Sequence, residues 1–190
     1  RLVGSEMCIR DRAKIQPEDA EWDAADYDYN VVRWSSEPDG NLLGIGPSVT
    51  NPLTGEIISG DVVNKLLAIK LGYNYRKLYG YTEDNDPLMQ YITNLTLHEV
   101  GHVLGLRHNF RGSYLYSPTE IHDKTITGNT LMSSVMDYDP INIAPEGTEQ
   151  GIYFSTVPGV YDKWAIKFGY TPNLSDEERT ELLRQSVKRE

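Results

Sequence analysis

Three histidines, a glutamate and a glycine stand at a fixed spacing between positions 98 and 108. His98 and His102 are four residues apart, so on a helix their imidazoles lie on one face, one turn apart. Two imidazoles placed in this way can bind one metal ion, and Glu99, which directly follows His98, can reach a water on that metal without being a ligand. Gly105 ends the helix and lets the backbone turn sharply, which brings His108 back to supply a third nitrogen.

This pattern predicts a catalytic zinc site rather than a structural one. Three protein ligands leave a fourth tetrahedral position for water, whereas structural zinc sites are closed by four ligands. The alternative is a set of ordinary histidines on a buried helix, and the shorter pattern HExxH does occur by chance. A chance match to the extended pattern is on the order of 10⁻⁵ at ordinary residue usage. We therefore predict His98, His102 and His108 as ligands and Glu99 as the catalytic base.

The helix that positions these side chains has clear boundaries. Asp86 is a suitable N-cap, and Pro87 suits the first helical position. The apolar spacing predicts a helix to about Leu104, ended by Gly105, and its apolar residues occupy more than one face, so we expect it to be buried. Gly101 lies inside this helix, where glycine costs about 1 kcal/mol relative to alanine. A close approach by the segment under the site would explain it.

The chain before this helix predicts a small sheet and one helix. Residues 29–34 are rich in β-formers and predict a strand. Residues 35–55 contain many Gly, Pro, Asn and Ser and predict a long loop or a pair of turns. Residues 56–62 predict a second strand, and Gly60 within it favours an edge strand or a bulge. Apolar residues at helical spacing predict a helix over residues 64–79.

The chain after the zinc motif shows little regular periodicity over residues 106–160, which is long for a structureless stretch. We expect a metal site within it to keep it ordered. Residues 160–168 predict a helix that Gly169 ends. Ser175 and Glu178 fit a capping box that starts a last, charged helix.

The zinc motif and a later segment together resemble the metzincin clan of metallopeptidases, whose signature is HExxHxxGxxH followed by a Met-turn. The Met-turn candidate is residues 133–138, SSVMDY. The resemblance implies an α+β, zincin-like fold: a mixed twisted sheet with an edge strand over the active-site helix, and an irregular C-terminal subdomain containing the Met-turn. It implies that Met136 is a hydrophobic floor beneath zinc. For Tyr138 it implies zinc contact or oxyanion stabilisation, and the alternative is a packing or hydrogen-bonding tyrosine.

Two further segments resemble the same clan. Residues 46–57, GPSVTNPLTGEI, resemble the segment leading into the edge strand, and residues 161–170, YDKWAIKFGY, resemble the helix of the C-terminal subdomain. The nearest resemblance is to bacterial zinc-dependent proteases whose domain is named Met-zincin. It implies a secreted or otherwise exported zinc endopeptidase that binds a peptide or protein substrate along the edge strand near Gly55–Val62. Backbone groups of an unpaired strand supply such binding.

The sequence also suggests boundaries within the chain. Residues 1–12, which contain the only cysteine, Cys8, resemble translated sequencing adapter and are expected to be foreign. Residues 13–172 correspond to a partial catalytic domain that lacks the clan's first strand and helix. Residues 173–190 are expected to start a C-terminal helix or linker. Whether such a truncated chain is active is a separate question from the activity of the native enzyme.

The composition excludes several other classes of function. The formal net charge is -10 and the pI is about 4.9, which disfavours binding to nucleic acid or to an anionic membrane surface. No apolar run approaches the roughly 20 residues that span a bilayer. The sequence leaves the oligomeric state and the cleavage specificity open.

The sequence leaves three alternatives open. A zinc hydrolase of the gluzincin type would take its third ligand from a glutamate on a later helix, and His108 and the Met-turn argue against it. A zinc-binding but inactive fragment that serves as a peptide-binding module is disfavoured by the presence of Glu99. A calcium site at Asp84 and Asp86 is less favoured than a solvated turn. His122 falls outside every motif and is expected at the surface.

Overall fold

The computed structural model describes residues 13–37 and 42–186 of the chain. A small mixed sheet and two long helices form the first half, and a mostly irregular segment followed by two helices forms the second. The α+β class predicted from the sequence is confirmed. Residues 1–12, the expected foreign segment, lie outside the described residues. None of the described helices is long and apolar enough to cross a membrane.

Five short strands form a three-stranded sheet and a hairpin. They are β1 (Val32–Ser35), β2 (Gly44–Ile45), β3 (Ser48–Thr50), β4 (Ile57–Gly60) and β5 (Val62–Lys65). The sheet has the order β1-β5-β2, in which β1 is parallel and β2 antiparallel to the central strand β5. Strands β3 and β4 pair only with each other among the described residues.

The predicted strand over residues 56–62 is wrong in one respect, because the structure divides it at Asp61. Strand β4 lies before Asp61 in the hairpin, and Val62 begins β5, which is central rather than at an edge. The Asp61 carboxylate accepts a hydrogen bond from the Val31 N–H at 2.9 Å, which ties the break to the residue directly before β1. The predicted loop over residues 35–55 contains β2 and β3, strands too short to produce a periodic pattern.

Two helices pack against each other and against the sheet. Helix α1 is Leu66–Tyr79 and helix α2 is Pro87–Val103. Helix α1 starts later than predicted because the preceding residues belong to β5. For α2 the predicted cap is confirmed: Asp86 accepts a hydrogen bond from the Leu88 N–H at 3.0 Å and also pairs with Arg76.

The second half contains a 3-10 turn (Gly112–Tyr114) and helices α3 (Lys124–Thr127), α4 (Val160–Tyr170) and α5 (Asp176–Gln185). Helix α4 continues through Gly169, which we predicted to end it, and the chain becomes extended at Thr171. The predicted capping box is confirmed, since the N–H of Ser175 donates to the Glu178 carboxylate and the N–H of Glu178 to the Ser175 hydroxyl.

Polar side chains of α2 hold the irregular segment in place. The Gln90 carbonyl oxygen accepts hydrogen bonds from the N–H groups of Tyr153 and Phe154, at 2.7 and 3.1 Å. The Asn94 amide donates to the Ser155 carbonyl at 3.2 Å. These bonds satisfy buried backbone groups that no sheet or helix pairs. The order of this segment therefore has a source in the protein itself, besides any metal.

Candidate metal centre

Three histidines converge at the C-terminal end of α2. His98 and His102 lie on one face of the helix, and His108 returns to them after the helix ends. One ring nitrogen of each lies within 4.8 Å of the other two. The Nε2 atoms of His102 and His108 are 3.1 Å apart. Among the described residues, this is the only group of three or more histidine, cysteine or acidic side chains arranged closely enough to hold a metal ion.

The turn that returns His108 depends on Gly105. Its φ is 83°, a left-handed conformation that favours glycine. The N–H of Leu106 donates to the Gly101 carbonyl at 2.9 Å, which closes the end of the helix. The predicted helix end and sharp turn at Gly105 are therefore confirmed.

Backbone carbonyls fix the orientation of two of the rings. The Nδ1–H of His98 donates to the Val135 carbonyl at 2.7 Å, and that of His102 to the Leu106 carbonyl at 3.0 Å. A carbonyl only accepts, so both protons are on Nδ1 and both Nε2 lone pairs are free to bind a metal. Tetrahedral zinc ligands at ordinary Zn–N distances are separated by ~3.3 Å, close to the Nε2 separation of His102 and His108. The donor set and its tautomers therefore fit zinc.

The electrostatic environment also favours the metal-binding form of the rings. Burial lowers the pKa of His98, and the neighbouring histidines lower it further. Burial, followed by the charge of His102, lowers the pKa of His108. Only neutral imidazole binds a metal ion, so a lowered pKa reduces the competition from protons.

Glu99 lies beside the histidines under the edge strand β2. Its side chain is buried, with 6% of the residue exposed, and burial raises its pKa, while His102 and the Gly46 N–H act in the opposite direction. A Cβ at Gly46 would overlap the Glu99 carbonyl, and a Cβ at Gly44 would lie 2.8 Å from its Oε1. Because the overlap at Gly46 is with backbone, only glycine allows residue 46, which directly follows β2, to approach α2 this closely. Sequence reasoning missed this contact, although the spacing Gly-Ile-Gly was a usable signal.

Met136 lies directly beneath α2. It is fully buried, with 0% exposed, and a Cβ at Gly101 would overlap its sulfur. The close approach that we expected at Gly101 is thus present, and Met136 makes it. The N–H of Asn109 donates to the Met136 carbonyl at 2.9 Å, which ties the Met-turn to the chain just after His108. The role of Met136 as the floor of a metal site stays a prediction.

Tyr138 lies at the open side of the histidines. Its hydroxyl is 2.8 Å from the Nε2 of His108, and its ring stacks on His98 with a centroid distance of 5.3 Å. Tyr138 is 65% exposed, so it is not a core residue. Its position suits either role that the resemblance implies.

Asp162 on α4 is a residue that sequence reasoning missed. It is 3% exposed, and its carboxylate accepts hydrogen bonds from the Ser134 hydroxyl at 2.6 Å, the Val135 N–H at 2.8 Å and the Gly159 N–H at 2.9 Å. Val135 is the residue whose carbonyl orients His98. Asp162 therefore fixes the Met-turn and, through it, one histidine. A single acidic residue at the start of a helix gave no signal for this.

Two other candidates do not join the site. His122 is half-buried rather than on the surface, and its Nδ1 has no hydrogen-bond partner among the described residues. Asp86 is occupied as the cap of α2 and as the partner of Arg76, which argues against a calcium site with Asp84.

One cavity of about 900 Å³ contains the histidines, Glu99 and Tyr138. Its wall on the sheet side is residues 42–47, which include β2. Residues 55–62, near which we predicted the substrate, are absent from its lining. The edge strand beside the candidate metal site is therefore β2, because β2 is the strand that approaches α2.

The comparisons with known proteins identify the family. No curated protein and no solved structure shows significant similarity to the chain. A sequence profile described as Met-zincin matches residues 81–190, which contain all of α2, the three histidines and the Met-turn segment. This family is zinc-dependent, and the three histidines lie close enough to bind a metal ion. The chain therefore belongs to the Met-zincin family and carries a metzincin-type zinc metallopeptidase domain.

Proposed function

We propose that the protein is a zinc-dependent endopeptidase in which His98, His102 and His108 bind zinc through Nε2. The observation that carries the proposal is the convergence of the three rings, two of them fixed in the metal-binding tautomer by backbone carbonyls, beside the buried Glu99. A zinc ion held by these three histidines would lower the pKa of a bound water towards about 7 and would polarise a peptide carbonyl.

Glu99 is the proposed general base. It accepts a proton from the attacking water and then donates that proton to the leaving amine. One water is thus consumed for each peptide bond cleaved, and the products are a carboxylate and an amine. Burial raises its pKa, which makes the carboxylate a better proton acceptor than an exposed glutamate. The Gly46 N–H keeps the carboxylate partly stabilised and orients it.

Tyr138 is the proposed oxyanion donor. Its hydroxyl lies 2.8 Å from the Nε2 of His108, at the exposed side from which a peptide can approach. A hydroxyl at this position can donate to the oxygen that gains negative charge as the carbonyl is attacked.

The peptide substrate is proposed to lie along β2 rather than near Gly55–Val62. Strand β2 is at the edge of the described sheet, and residues 42–47 line the cavity. An extended peptide can add to such an edge through backbone hydrogen bonds. By family resemblance, we also place the protein outside the cytoplasm, which fractionation of the source cells would test.

The deciding experiment separates metal binding from hydrolysis. In Glu99→Ala, zinc content measured by atomic absorption should remain at one ion per chain, while cleavage of a peptide library should fall by on the order of 10³-fold or more. In His102→Ala, both should be lost. Full hydrolysis by Glu99→Ala would refute the assigned base.

The second candidate function is an inactive zinc-binding module that binds peptides. Zinc-loaded wild-type protein that binds extended peptides without cleaving any of them would favour this function and overturn the peptidase proposal. The presence of Glu99 in the cavity favours the peptidase.

A further inference from the structure

The cavity continues from the histidines towards α1 and the first half of α2. Aromatic and aliphatic side chains line this inner part: Leu71, Tyr75, Tyr91, Leu95 and Phe154. The rings pack against one another, with centroid distances of 5.6 Å for Tyr75 and Tyr91 and 5.1 Å for Tyr91 and Phe154. The wall is therefore a set of mutually supporting rings, which suits a preformed pocket.

Besides Glu99, the acidic residues Asp137 and Asp139 line the cavity, and these two differ in their hydrogen bonds. The Asp137 carboxylate accepts from the Ser113 N–H at 3.0 Å and from the Tyr138 N–H at 2.8 Å. The Asp139 carboxylate has only its own backbone N–H and the Asn94 amide, the latter at a long 3.5 Å. Within residues 13–37 and 42–186, no basic side chain forms an ion pair with Asp139.

An acid in this position is costly for the protein. Burial raises the pKa of Asp139 to about 7, and the nearby Asp137 acts in the same direction. A poorly paired carboxylate in an apolar pocket is destabilising unless a ligand supplies its partner. Such groups are concentrated at functional sites. Asp137, by contrast, has a structural use that accounts for it.

We propose that the inner part of the cavity is a specificity pocket for a lysine or arginine side chain, whose cationic end pairs with Asp139. The aliphatic stem of the side chain packs along Leu71 and Leu95, as long basic side chains do on apolar surfaces. The partly buried ring of Tyr75, which also lines the cavity, adds cation–π attraction. The net charge of -10 favours the approach of basic peptides.

This inference rests on the proposed peptidase function and deepens it. Glu99 and His108 line the same cavity as Asp139, so the side chain that fills the inner part belongs to a residue that flanks the scissile bond. The proposed substrate class is therefore a peptide with a basic residue next to the bond that is cleaved.

The first test uses matched peptides that carry lysine or norleucine at each position flanking the cleaved bond. We expect wild-type protein to prefer lysine at one position by on the order of 10–100-fold in kcat/KM, as expected for a bond to a charged group. Asp139→Asn should abolish most of this preference. Asp84→Asn, the same change at an exposed site outside the cavity, should keep it. A preference for norleucine, or a lysine preference unchanged in Asp139→Asn, would overturn the inference.

The second test does not depend on hydrolysis. Binding of n-butylammonium, a mimic of the lysine end, is measured by ligand-observed NMR on zinc-loaded wild-type protein, Asp139→Asn and Asp84→Asn. Binding that is lost only in Asp139→Asn supports the pocket, even if no peptide is cleaved and the peptidase proposal fails. Equal binding by all three proteins, or none by wild type, would overturn the inference, whatever the peptides show.

Discussion

The irregular segment around the Met-turn is more deeply buried than strand β1 of the regular sheet, the opposite of what their secondary structure suggests. Strand β1 is largely exposed, with Val32 at 60%. The segment of residues 131–155 has almost no regular structure, yet it contains many of the most buried side chains: Leu131, Met132, Val135, Met136, Ile152, Tyr153 and Phe154. Side-chain to backbone hydrogen bonds, rather than strand ladders, hold this segment. The stability of the candidate site should therefore depend on single polar side chains.

The largest effect is expected for Asp162→Ala. This change leaves three buried donors without an acceptor, and each such donor costs about 1–3 kcal/mol. We expect a loss of roughly 3–6 kcal/mol in the free energy of unfolding, measured by urea denaturation, together with weaker zinc binding. Asp19→Ala, at an exposed acid, should change stability by less than ~0.5 kcal/mol. A loss below ~1 kcal/mol for Asp162→Ala would show that the segment is held in another way.

Asp139→Asn should change the pH dependence of stability. Because the folded pKa of Asp139 is raised to about 7 from 3.8, its contribution is fully present below about pH 4 and is lost as the pH rises through 7. Asparagine does not titrate and so removes this loss. The free energy of unfolding of the variant should therefore exceed that of wild type by roughly 2–4 kcal/mol at pH 8 and should equal it at pH 4. Urea unfolding of both metal-free proteins at the two pH values measures the difference. A constant difference at both pH values would contradict the raised pKa.

A pair of glycine substitutions compares the packed helix α2 with the exposed helix α4. Gly101→Ala should lower stability by about 1–3 kcal/mol despite the better helix propensity of alanine, because Met136 has no room to move. Gly169→Ala, with open space around the added methyl group, should raise stability by roughly 0.5–1 kcal/mol. Thermal unfolding checks both. Equal shifts of the unfolding temperature with the same sign in both variants would mean that Gly101 is not packed closely against Met136.

The smallest effect is expected in strand β1. Val32→Thr on β1 should change stability by less than ~0.5 kcal/mol, because the side chain is mostly exposed. Ile152→Ala, at a side chain that is 4% exposed in the irregular segment, should cost about 2–5 kcal/mol. Denaturant midpoints of the two variants test the comparison directly. A larger loss for Val32→Thr than for Ile152→Ala would reverse it.

The features that were predicted correctly from the sequence are those that the spacing of nearby residues determines. Helix α2, its Asp86 cap, the turn at Gly105 and the convergence of the histidines all follow from residues close to one another in the chain. Strand β2 was not predicted because it is two residues long and is defined by its pairing with the separate segment β5.

The same reason explains the other residues that were missed. Asp162 and Asp139 act through contacts with distant segments, and nothing in their own neighbourhoods distinguishes them from solvated acids. The central position of β5 was missed because pairing partners, rather than the composition of a strand, decide whether it lies at an edge.

The hydrogen bonds between Asp162 and the Met-turn have a consequence for the order of events during synthesis of the protein. The ribosome releases His98 well before it releases Asp162, so the histidines emerge while the segment that orients His98 is still unfinished. A nascent chain that ends at the Met-turn has every proposed ligand but lacks the acceptor for three buried donors. Capture of the metal is therefore expected to come late, after helix α4 has folded onto the Met-turn.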